Sequence, residues 1–158
     1  MILNKDNLKK YALNYLNRYA SSKKNLVIIL SRKIKKQYPL DKKFKFIISR
    51  IINDLESDNI LNDLKFANSI AYNDLRIGKS KRFIQYHLIR KGIKNDDIRT
   101  VLENLEEEFP EFEMESAMKF AKKKKLGKYG NSENVKKDLS KMIRAGFNYE
   151  IIKKILFW

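Results

Sequence analysis

The sequence predicts an all-α protein built as three tandem three-helix repeats, about nine helices in all, forming an elongated curved array. Three observations carry that expectation. The first is an internal repeat: the stretch 63–105 is answered 54 positions later, without a gap from Phe66-Ala67 to Val101-Leu102. Phe66-Ala67 answers to Phe120-Ala121, Leu88 to Met142, Ile89-Arg90 to Ile143-Arg144, Gly92 to Gly146, and Val101-Leu102 to Ile155-Leu156. The second is apolar spacing at helical period, with no alternation of useful strand length. The third is a pair of matched helix stops. Gly92 and Gly146 suit the left-handed position after a helix, where Ile93 would meet Leu88 and Phe147 would meet Met142.

A looser copy lies upstream. Tyr11-Ala12 stands 55 before Phe66-Ala67, and Ile48, Ile51, Ile52 and Leu55 stand 50 before Ile98, Val101, Leu102 and Leu105. The repeat boundaries expected from these offsets are 1–60, 61–110 and 111–158, one continuous helical-repeat domain.

The elements follow in order. Leu8, Tyr11, Ala12, Tyr15, Leu16 and Tyr19 share one helix face. Ser21 and Ser22 interrupt that pattern and suit the cap of a second helix, which carries Leu26, Ile29, Leu30 and Ile34. Pro39 stops it, because proline lacks a donor and disfavours helix in the preceding residue. Asp41 caps a third helix whose inner face is Phe44, Ile47, Ile48, Ile51, Ile52 and Leu55. The second unit reads as helices over 63–77, 81–91 and 96–108, broken at Gly78, Gly92 and Pro110. The third starts at Met114, Met118 and Phe120-Ala121, loosens over 127–132, and resumes over 133–145. Asn148 caps a last helix with Ile151, Ile152, Ile155 and Leu156, and Trp158 is expected to close its core.

At 158 residues the chain buries roughly 70% of its unfolded surface, enough for a fold without staples. Cysteine is absent, which excludes disulfides and thiolate metal sites. No run reaches the ~18 apolar residues of a membrane span, and the N-terminus has no signal-peptide core. A soluble, cytoplasmic, monomeric protein without membrane contact is expected. Net charge is +16, divided as +9 over 1–60, +1 over 61–110 and +6 over 111–158. Basic ends attract a polyanion or an acidic protein surface.

Catalytic chemistry finds little footing. Gly78-Lys79-Ser80 ends like a phosphate loop, but the glycine required five residues earlier is Asn73 and no buried strand precedes it. His87 is the only histidine, and its helical setting makes it a partly buried structural residue. Glu103, Glu106 and Glu107 have helical spacing and read as solvated acids rather than a cation site. No nucleophile has an activating partner. The expectation is a non-enzyme with no cofactor and no metal. What remains is basic: Arg76, Lys79, Lys81 and Arg82 cluster between two helices, and residues 122–125 are four lysines with Lys128 beyond. Tyr72, Tyr86 or Tyr129 could supply aromatics for stacking on bases, or could instead belong to the core.

The ordered set Tyr11-Ala-Leu-x-x-Leu16-x-Arg18-Tyr-Ala-Ser-Ser22, Phe66-Ala67, Gly78 and Leu88-x-x-Lys91-Gly92-Ile93 resembles the RecX family, bacterial regulators of the recombinase RecA. The resemblance runs over nearly the whole chain, and Tyr19-Ala-Ser-Ser22 is most similar to alphaproteobacterial members. The chain departs from the family pattern at Asn25, where glutamate is frequent, and at Ser80, where a second glycine is common. The resemblance implies a modulator that binds RecA and the RecA–single-stranded DNA filament and lowers ATP hydrolysis, filament growth and recombination, within DNA repair and the SOS response. Arg76, Lys79, Arg82, Arg90 and Lys91 are the expected partner contacts. The alternative is a basic helical protein that binds DNA directly without RecA, which steep salt dependence would reveal. A purely structural helical scaffold ranks third.

Overall fold

The computed structural model describes residues 2–131 and 133–157. Among these residues the chain forms nine α-helices and no strand: α1 (Lys5–Leu16), α2 (Lys23–Lys35), α3 (Lys42–Ser57), α4 (Asp63–Arg76), α5 (Lys81–Arg90), α6 (Asn95–Glu108), α7 (Phe112–Lys124), α8 (Val135–Arg144) and α9 (Tyr149–Leu156). A short 3-10 turn, Gly127–Tyr129, follows α7. Trp158 lies outside the described residues. None of the helices described is long and apolar enough to cross a membrane.

Helix starts follow from side-chain oxygens that accept first-turn N–H groups. Ser22 caps α2 through Asn25 (3.1 Å), Asp41 caps α3 through Phe44 (2.9 Å), and Asn148 caps α9 through Glu150 (2.8 Å). Each such cap contributes about 1 kcal/mol. Asn25, one of the departures from the family pattern, donates to the Tyr15 hydroxyl (3.2 Å) and the Ser21 hydroxyl (3.0 Å).

One expectation fails at the end of α1. Tyr19 belongs to the periodic face but is 57% exposed. The helix ends at Leu16 and the Arg18 and Tyr19 N–H groups both turn back to the Tyr15 carbonyl. One turn beyond the last helical residue, the i+4 position no longer faces the core, although the Tyr19 ring still lies 5.2 Å from that of Tyr15.

The chain divides into two compact units. The first runs to Phe66 and includes Lys91–Ile93; the second comprises Ala67–Arg90 and the chain from Lys94 onward. In the first, α1, α2 and α3 pack on one another around Leu8, Leu26, Leu30, Ile34, Ile51 and Leu55. The buried Asp63 accepts from the Lys23 N–H at 2.8 Å, which fixes the start of α2. Gly92 has φ 81° and lies against Lys24, where a Cβ would approach within 2.9 Å. In the second unit α5 packs on α6, while α7, α8 and α9 enclose Ala117, Ala121, Leu126, Met142, Phe147, Ile152 and Ile155. Burying a side chain such as Met142 fully contributes about 1.5–3 kcal/mol. The buried Asp138 carboxylate accepts from the Gly127 N–H at 2.9 Å and pins the turn after α7.

Candidate functional site

The candidate site grows out of the second unit's turn between α4 and α5. Gly78 takes φ 87°, its N–H bonds the Leu75 carbonyl (3.1 Å) and the Lys79 N–H bonds the Asp74 carbonyl (2.9 Å). This is the paired bonding that ends a helix on a left-handed residue. Ser80 then starts α5. Its hydroxyl oxygen accepts from the Phe83 N–H (3.1 Å) and its hydroxyl donates to the Ala145 carbonyl (2.8 Å). Only 1% of Ser80 is exposed. Gly-Lys-Ser is therefore a helix stop, a half-buried linking lysine and a helix start.

Ala145 closes α8 in the same manner. Gly146 has φ 93°, its N–H bonds the Ile143 carbonyl (2.9 Å) and the Phe147 N–H bonds the Met142 carbonyl (3.2 Å), with Met142 and Phe147 both buried. The expected stop with its hydrophobic partner is present here. Ser80 thereby holds the N-terminus of α5 against the C-terminus of α8, an arrangement favoured by the opposite partial charges of helix ends.

Where these ends meet, a cleft of about 380 Å³ is lined by Arg82, Phe83, Tyr86, Arg90, Ile143 and Arg144, among others. The Arg82 guanidinium lies over the Tyr86 ring at 5.6 Å, and Arg90 lies over Phe83 at 6.0 Å. Tyr86 is 51% exposed and Ile143 48%. Among the described residues, none of the three arginines is paired with a carboxylate. A second cleft, about 300 Å³, lies between the α4–α5 turn and α7 and holds Lys79, Lys119, Lys123 and Lys124 beside Phe120. The Lys79 ammonium sits 4.6 Å over Phe83.

The five expected contact residues separate on this structure. Arg82 and Arg90 line the arginine cleft, and Lys79 lines the lysine cleft. Arg76 lines neither; its guanidinium donates to the Asn73 side chain at 2.8 Å. Lys91 is exposed and belongs to the first unit. Lys81, from the same basic cluster, is paired with Glu106. Arg144 was not among the expected residues, although the 54-residue offset that matches Ile89-Arg90 to Ile143-Arg144 was a signal for it.

The remaining single residues have structural partners. His87 Nδ1 lies 2.6 Å from the Asp74 carboxylate, whose side chain is 4% exposed, and the His87 ring sits edge-on to Phe83. Tyr72 donates to Glu108, and that carboxylate raises the pKa of the Tyr72 hydroxyl. Tyr129 packs against the core of the second unit with Lys122 and Lys128 over its ring. Of the three tyrosines, Tyr86 alone lines the arginine cleft.

No protein-family model matches the chain. The Regulatory protein RecX of Myxococcus xanthus is 29% identical over 94% of this chain and 83% of its own length. That of Clostridioides difficile is 30% identical over 94% of this chain and 66% of its own length, and that of Streptococcus agalactiae serotype V is 30% identical over 99% and 61%. Against solved structures, RecX from Lactobacillus salivarius superposes with a TM-score of 0.76 over 97% of this chain and 94% of the other, at 23% identity. A second RecX crystal structure gives 0.73 over 97% and 71%, at 21% identity. These two likenesses establish the fold. The alphaproteobacterial subtype finds no support among the relatives named.

Proposed function

The chain belongs to the RecX family of regulatory proteins, and from that premise we propose that it binds the RecA–single-stranded DNA filament and lowers its ATP hydrolysis, growth and recombination activity. The observation that carries this reading is likeness to proteins named Regulatory protein RecX over 94% of the chain. Three guanidiniums without a carboxylate partner among the described residues, and four lysines lining the second cleft, give this unit a surface suited to an acidic partner. The protein acts by binding rather than catalysis, as a cytoplasmic monomer of three tandem units (1–60, 61–110, 111–158), and needs no cofactor.

The test is single-stranded-DNA-dependent ATP hydrolysis by RecA, with this protein titrated in well below one per RecA. A fall in rate at those ratios supports action on the filament. No fall until the DNA itself is saturated would transfer the reading to direct DNA binding. Arg82→Glu is expected to weaken inhibition about tenfold, the loss that follows from reversing a charge at a contact. Arg76→Glu, outside both clefts, changes it far less. Equal effects from the two variants would remove the arginine cleft from the contact surface.

A further inference from the structure

Both clefts of the second unit set cations beside an exposed apolar group, Ile77 in the lysine cleft, but only one supplies guanidiniums. In the arginine cleft, Tyr86 and Ile143 remain about half exposed beside Arg82, Arg90 and Arg144. An Arg fork binds a carboxylate through two parallel N–H donors, which an ammonium cannot do. The apolar rim has no such polar task, and its exposure beside a cavity suits the seating of an apolar side chain. Charge and shape together call for a ligand with carboxylates flanking an apolar anchor.

The rings discriminate between two classes of polyanion. Single-stranded nucleic acid is held by bases stacked on aromatic faces. Here Arg82 already lies over Tyr86, and both Lys79 and Arg90 lie over Phe83. A base entering the cleft competes with those cations for the rings. A carboxylate does not: it meets the guanidinium edges while the rings keep their cations. The lysine cleft, whose ammoniums act as point charges, is the better phosphate surface.

We infer that the cleft between α5 and the end of α8 is a docking site for an acidic protein segment bearing an apolar anchor residue. Arg82, Arg90 and Arg144 take its carboxylates, and Ile143 with Tyr86 takes the anchor. The repeat doubles the device, since Ile89-Arg90 and Ile143-Arg144 are the same dipeptide 54 positions apart, and both arginines reach this one cleft. The inference rests on the RecA reading only in taking the partner to be a protein.

The experiment uses the full chain and a fluorescein-labelled peptide of Asp and Glu residues around a central Leu-Phe pair, read by anisotropy. A peptide with Ser-Ser at the centre and a labelled oligothymidylate serve as the comparison probes. The Leu-Phe peptide is expected to bind about tenfold more tightly than the Ser-Ser peptide, with Ile143→Ser erasing the difference. Arg144→Ala and Arg144→Lys are expected to weaken it about equally, because lysine restores the charge without the fork. Oligothymidylate binding should be unchanged by Ile143→Ser. Peptides that bind alike, or peptide binding that survives Arg82→Ala/Arg144→Ala, would overturn the inference as nonspecific charge attraction. Oligothymidylate that displaces the peptide and is lost in the same variants would overturn it in favour of nucleic acid. No RecA is present, so a negative result here leaves the RecA reading standing, and a flat ATPase titration leaves this one standing.

Discussion

In the cleft beside α8 the cations are three guanidiniums, two of them over aromatic rings; the cleft beside α7 is lined by four lysines, of which Lys79 has its ammonium over Phe83. The net charge is similar and the chemistry is not. A guanidinium fork pairs a carboxylate through two parallel N–H donors, whereas an ammonium acts as a point charge. Net charge by itself is a poor guide to such a site. The most basic third of the sequence, residues 1–60 at +9, holds Lys5 and Lys9 against Asp54 and Lys23 against Glu56.

The contrast breaks first at the glycines that border the clefts. At Gly146 an added Cβ would lie 2.5 Å from the Ser80 hydroxyl oxygen, at φ 93°. Gly146→Ala therefore combines backbone strain with loss of the Ser80–Ala145 bond, together about 3 kcal/mol. That corresponds to a melting temperature lower by about 8 °C. Gly78→Ala is strained by its φ of 87° alone, since its Cβ would meet Lys119 at an ordinary 3.5 Å, so about 1 kcal/mol and about 3 °C are expected. Calorimetry of the two variants decides. Equal losses would mean that the Ser80–Ala145 bond contributes nothing to the arginine cleft.

The next effect separates the ligands. Lys123→Ala/Lys124→Ala should lower the salt slope of oligothymidylate binding by about 1.4, at about 0.7 per phosphate contact, and leave acidic-peptide binding untouched. A drop in both would merge the two clefts into one electrostatic surface.

The smallest effect concerns the cation that belongs to neither cleft. Lys81 is held by Glu106, and beside them burial raises the pKa of Glu113, with Glu106 adding to the rise and Lys81 opposing it. A carboxyl with a raised folded pKa stabilises the fold below its unfolded pKa and loses that contribution as pH rises through the folded value. Glu113→Gln should therefore raise the melting temperature at neutral pH by about 1 °C, with the gain vanishing below about pH 4. A gain that persists in acid would point to a cause other than ionisation.

Much of the fold was legible because helices announce themselves locally. Ser22, Asp41 and Asn148 were readable as caps, and the inner face of α3 from Phe44 to Leu55 was readable from spacing. Tyr19 was misread because periodicity does not register where a helix stops. The buried acids Asp63, Asp74 and Asp138 were missed, since each is explained by a partner 11–40 residues away. The site was half legible. Arg82 and Arg90 were visible as charges, but their separation from Arg76 depends on which way each side chain leaves its helix. Arg144 was written in the repeat, and only the meeting of α5 with α8 gives that repetition a meaning.

The bond from Ser80 to Ala145 spans 65 residues. Closing a loop of that length costs entropy that grows with its logarithm, and nothing is returned until the far end arrives. A nascent chain that has extended only through α7 carries Arg82, Phe83, Tyr86 and Arg90 on a complete α5 and still has no arginine cleft. The docking surface thus comes into being only once α8 has been made and seated, so unfinished chains present charge to a partner without a place for it to bind.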